Sequence, residues 1–192
     1  MTKYQWNLTS LFSDDNDPNI ELEKQSLQKV ATEFVEKWEG RNDWLENAES
    51  LRQILEDYND WLTNWGVYGK VGYYFFLRTS LDSQSPSLKA AQNQIEELSV
   101  KIGNQMQFVE LRLASVGKNK QAEFLKEEKL MKFRHFLERI FASSEHLLSE
   151  DQEKIISLFS FHKGKWVDMV EEFLSSQTVE WQEKLPENVS QK

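Results

Sequence analysis

Residues 85–117 read SPSLKAAQNQIEELSVKIGNQMQFVELRLASVG, and this stretch decides the fold. Leu88, Ala91, Ile95, Leu98, Ile102, Met106, Val109 and Leu113 recur at steps of three and four, the spacing that lines one face of a helix. Ser85 before Pro86 supplies a start, because proline has the right φ for a first helical turn, and Gly117 supplies a stop. One long amphipathic helix is predicted.

Toward the N-terminus, Leu81 to Ser85 reads as a turn. Before it lies the aromatic run Tyr73, Tyr74, Phe75 and Phe76, in a helix hydrophobic on most sides, which implies deep burial. Gly66, Gly69 and Gly72 interrupt the pattern ahead of that run. From Trp44, the residues Ala48, Leu51, Leu55, Tyr58, Leu62 and Trp65 form the seam of a second helix. A first helix starts at Asp17–Pro18, where the carboxylate accepts an exposed N–H, carries Leu27, Val30, Ala31, Phe34, Val35 and Trp38, and ends at Gly40.

Toward the C-terminus, a short helix is predicted over Lys120 to Glu127 and another through Phe133, Phe136, Leu137 and Ile140. Ser149 and Gln152 have capping-box spacing ahead of a helix with Ile155, Ile156 and Phe159. After Gly164 a separate last helix carries Trp166, Val170, Phe173 and Leu174. Thr178 to Trp181 has the β-branched and aromatic content of a short strand with no partner in the chain. The fold class is therefore all-α, an antiparallel array of about six to seven helices with a short strand near the C-terminus. Residues 1–177 are expected to form the helical lobe, and 178–192 a strand or linker leading onward.

The 192 residues include no cysteine, which rules out disulfides and thiolate metal sites and fits a cytoplasmic location. Lys and Arg number 23 against 32 Asp and Glu, and the net charge of -9 repels phosphate backbones and anionic lipid, so neither nucleic acid nor membrane is an expected partner. Seven tryptophans fill gaps between helices or line a groove for apolar peptide side chains.

A helical zinc peptidase needs two histidines one turn apart with a glutamate between them. His135, His146 and His162 form no such motif, and the inverted order fails at Ala142, which stands where the first histidine would precede Glu145 and His146. Di-iron ligation fails as well, since Lys132, Ser143 and Phe159 occupy the positions three residues before each histidine. There is no phosphate-cradling glycine loop and no G-x-S-x-G turn. The sequence thus offers no catalytic, metal-ligating or cofactor-binding residue, and the chain alone is expected to be inactive. Tyr73, Tyr74 and Phe76 are the candidates for a peptide groove, with a plain core role as the competing reading.

Several segments, in order, resemble the N-terminal region of the thimet-oligopeptidase-like zinc peptidases, specifically the oligoendopeptidase F branch. Trp6, Asn7, Leu8, Leu11 and Phe12 are similar to the family's opening W-x-L-x-x-L-F, and Tyr68 to Asp82, with Arg78 and Leu81, to its aromatic helix. Lys132 to Glu138, followed by His146 to Ile155, resembles its Y-R-H-Y-L…H-x-L-S-x-x-E-E-K-L-L stretch, and Trp166 to Leu174 its W-x-x-L-x-x-x-L segment. The resemblance implies a helical lobe on one side of a channel for short peptides. It also implies that zinc and its ligands lie in a catalytic domain outside this region, so no catalytic residue carries over. The implied partners are short peptides, that catalytic domain, or a second copy of the chain. The alternative is a stand-alone helical module that binds a peptide or a partner protein.

Overall fold

The structure, a computed structural model, describes residues 6–66, 69–144, 148 and 150–177, with residues 150, 151, 154, 161, 162 and 175 described in backbone alone. Among these residues the chain is helical, with no strand. Helix α1 spans Asn19–Trp38, α2 Ala48–Trp65, α3 Gly69–Leu81, α4 Pro86–Met106, α5 Phe108–Ala114, α6 Lys118–Phe124, α7 Arg134–Ser143 and α8 Glu150–Ser175. Short 3-10 turns at Asp43–Leu45 and Glu128–Phe133 precede α2 and α7. No described helix is long and apolar enough to cross a membrane. The strand expected at Thr178 to Trp181, and residues 178–192 as a whole, lie outside the described residues.

The chain divides into two compact units, residues 1–158 and 159–192. In the first, α1 packs on α2, α3 and α4, α3 on α4, and α5 on α7. The larger core cluster gathers Leu27, Phe34 and Trp38 of α1, Leu51, Ile54 and Leu55 of α2, Ile102 and Met106 of α4, and buried residues of α5 to α7. A second cluster joins Phe12 and Ile20 to Val71, Tyr74 and Phe75 of α3 and Leu88 and Ile95 of α4.

Local chemistry sets the helix starts. The Asp17 carboxylate accepts the backbone N–H groups of Ser13 at 2.8 Å and Asn19 at 2.9 Å, so α1 begins beside the predicted Asp-Pro signal. Asn47 caps α2, its side chain accepting from the N–H groups of Glu49 and Ser50. This cap moves the true start of α2 beyond Trp44, which sits in the preceding 3-10 turn and is fully buried. Gly69 opens α3 with φ +61°, a left-handed conformation that glycine adopts without a Cβ penalty.

Three expectations need correction. The long stripe from Leu88 to Leu113 is two helices, broken at Gln107. Met106 and Phe108 are two residues apart, which would put them on opposite sides of an unbroken helix. Both are buried in the same cluster, so the chain here is covered on more than one side. Conversely, α8 runs through Gly164 without a break. A mid-helix glycine costs about 1 kcal/mol relative to alanine, which a long helix absorbs. Finally, the aromatic run is not deeply buried throughout: Tyr73 is 59% and Phe76 57% exposed, while Tyr74 and Phe75 are buried. One helix face serves the core, and the next residues along the chain necessarily turn away.

The capping box at Ser149 lies outside the described residues. Among the described residues, the backbone N–H of Leu148 donates to the Glu153 carboxylate at 3.1 Å, in the first turn of α8.

In the second unit the described part is the α8 segment from Phe159 onward and two residues after it. Phe159, Trp166, Val170 and Phe173 recur at helical spacing, and all four are exposed, Trp166 at 69% and Phe173 at 64%.

Candidate peptide-facing surface

Helix α3 positions the three aromatic candidates and separates them. Tyr73 and Phe76, three residues apart, share the exposed face and are neighbours on it. Tyr74 faces the core, edge-on to Phe12 at 5.2 Å and to Phe75 at 5.2 Å between ring centroids. Its hydroxyl donates to Asp15 Oδ1 at 2.8 Å, and Arg78, one turn further along α3, clasps both oxygens of the same carboxylate. The three candidates therefore do not form one groove wall: Tyr73 and Phe76 come together, and Tyr74 anchors the N-terminal segment from the other side.

Tyr74 and Arg78 do line a depression of about 260 Å³, together with Trp6, Leu8, Phe12 and Leu81. Its charges answer one another. The Arg78 guanidinium beside Asp15 holds that carboxyl below the usual carboxylate range, and the same pair raises the guanidinium's own pKa. Burial, and then the hydrogen bond to Asp15, pushes the Tyr74 hydroxyl up to about 12. Asp15, Tyr74 and Arg78, arranged in this way, hold the N-terminal segment to α3.

A second depression, about 270 Å³, lies between α1 and α2. Phe34, Trp61 and Trp65 supply its aromatic surface, and Glu33, Asp57 and Asp60 its carboxylates. Asp57 accepts from both Lys37 Nζ and Trp38 Nε1. Trp61 Nε1 is buried without an acceptor among the described residues. Sequence reading missed this place, although Trp61 and Trp65 one turn apart, with Asp57 and Asp60 on the same helix, were visible as a signal.

His135 is exposed on α7. His146 and the side chain of His162 lie outside the described residues. Among the described residues, no group of His, Asp or Glu is arranged to hold a metal ion. The described residues do not fit a catalytic zinc, and no chemical step is assigned to them.

The first unit is thus a helical array with two small depressions and, among the described residues, no metal-binding group. The Oligopeptidase F family model matches residues 112–162. The chain is 28% identical over 156 residues to the plasmid oligoendopeptidase F of Lactococcus lactis subsp. cremoris, covering 81% of this chain and 25% of that protein. The oligoendopeptidase F homolog of Lactococcus lactis subsp. lactis (strain IL1403) gives the same identity and coverage. The group B oligopeptidase PepB of Streptococcus agalactiae is 27% identical over 157 residues, with 81% of this chain and 25% of that protein covered. No solved structure matches the chain. The chain thus resembles part of the oligoendopeptidase F proteins, consistent with their N-terminal region, and spans about a quarter of the length of the curated relatives it matches.

Proposed function

We propose that this chain is the helical lobe that walls the peptide channel of a zinc-dependent oligoendopeptidase acting on short peptides. The metal and its ligands belong to a catalytic domain that the lobe meets. The carrying observation is the coverage: similarity runs through 81% of this chain yet reaches only 25% of a relative named for endopeptidase activity. Tyr73 and Phe76, adjacent and exposed on α3, are the channel-facing candidates, and the apolar side of α8 from Phe159 to Phe173 is the candidate contact with the catalytic domain.

The test replaces the matching quarter of the Lactococcus lactis enzyme with this chain. The expected result is a folded chimera that retains chelator-sensitive cleavage of a short peptide, and in which Tyr73→Ala with Phe76→Ala raises KM. A folded chimera without cleavage sinks the proposal. The stand-alone binding module then becomes the better reading.

A further inference from the structure

We propose that the depression between α1 and α2 is a binding site for the arginine side chain of a peptide. This inference goes beyond the channel-lobe reading and stands without it. Three observations converge on one small volume.

The first is size. At about 270 Å³ the depression falls just below the usual range for whole-ligand sites, so it suits a single long side chain. The second is surface: Trp61 and Trp65, one turn apart on α2, are half-buried and present indole there. An indole face attracts a cation, and a planar guanidinium both stacks on it and keeps its in-plane donors free.

The third is charge. Glu33, Asp57 and Asp60 oppose the single lysine lining the depression, Lys37. Lys37 pairs with Asp57, leaving two carboxylates in excess. Glu33 meets Lys29 across 3.8 Å with both side chains exposed, a contact worth little. Asp60 has no ion-pair partner among the described residues. An arginine fork would find carboxylate oxygens on both helices around an aromatic floor, within a chain of net charge -9 whose field favours cations.

An isolated acidic patch lacks this aromatic surface.

The experiment titrates the nitrogen-15-labelled full chain with Nα-acetyl-arginine N-methylamide at low salt and follows the indole N–H resonances of Trp61 and Trp65. Both are expected to shift saturably, with a dissociation constant on the order of 1 mM. The citrulline analogue has the same shape without the charge and should bind about tenfold more weakly, and Asp60→Asn should weaken the arginine probe about threefold. Asp60 is exposed, so this variant keeps the fold, which the remaining resonances verify. Equal affinity for citrulline, unchanged affinity in Asp60→Asn, or no saturable shift at either indole overturns the proposal.

Discussion

Arg78 grips Asp15 through two parallel hydrogen bonds, Nε to Oδ1 at 2.7 Å and Nη2 to Oδ2 at 2.6 Å, across 63 positions of sequence. The pair ties the loop before α1 to α3, and Tyr74 adds a third bond to the same carboxylate. Both partners are about one-third exposed, so solvent screening keeps the contribution modest. Arg78→Lys, which keeps the charge but loses the fork, is expected to lower stability by about 1 kcal/mol. The urea midpoint reads this directly, and an unchanged midpoint means the clasp adds nothing.

Acid should destabilise the first unit through Glu49 and Asp17. Hydrogen bonds from Arg52, then Lys129, hold the Glu49 carboxyl at about 2 instead of its ordinary 4.5. Backbone N–H groups of Ser13 and Asn19 hold Asp17 at about 2 instead of 3.8. In the window between these values the unfolded chain binds more protons than the folded one, so stability rises with pH there. The benefit is fully present above the ordinary values and is lost as pH falls toward about 2. Denaturant midpoints measured down this range should drop, and Glu49→Gln should flatten the slope.

Removing the α2 cap tests the local reading of that helix. Asn47 accepts from Glu49 N–H at 2.7 Å and Ser50 N–H at 3.2 Å. Asn47→Ala is expected to cost about 1 kcal/mol, whereas Asn47→Asp should retain most of the stability because aspartate caps equally well. Thermal unfolding of the two variants side by side distinguishes a lost cap from a disturbed surface.

The apolar side of α8 predicts association. Phe159, Trp166 and Phe173 are each exposed well beyond half, and contiguous exposed apolar surface marks a contact site. At tens of micromolar the chain should self-associate or bind a hydrophobic dye. Trp166→Glu with Phe173→Glu should abolish both without lowering the melting temperature, because little around these side chains is lost. A wild-type chain that sediments as a monomer and ignores the dye contradicts this.

Much of this architecture is legible in the sequence because helical burial has a period. The stripes through Leu27, Phe34 and Trp38, through Leu51 and Leu55, and through Leu88, Ile95 and Ile102 all face the core as their spacing implies. The break at Gln107 is not legible, since the apolar spacing runs on through Met106, Val109 and Leu113, all buried, without interruption. Gly164 misled for the opposite reason: a glycine weakens a helix locally, and only the surrounding turns decide whether the weakening ends it. The aromatic run hid its division because composition reports how apolar a helix is but not which side finds a neighbour. The depression at Trp61 and Trp65 shows only its α2 half in the sequence, through Asp57 and Asp60, because Glu33 comes from α1 and joins them by packing.

Helix α4 contributes Leu88 and Ile95 to one cluster and Ile102 and Met106 to the other. Between them, the Ser99 hydroxyl is buried with no partner among the described residues. One helix thereby acts as a common shaft for two packings of unequal size. Loosening the smaller packing, which holds the N-terminal segment and α3, strips cover from the first turns of the shaft while the last turns stay clamped. Amide hydrogen exchange along α4 should then be graded, with faster exchange around Leu88 than around Ile102, so that the molecule opens from its N-terminal side before it unfolds as a whole.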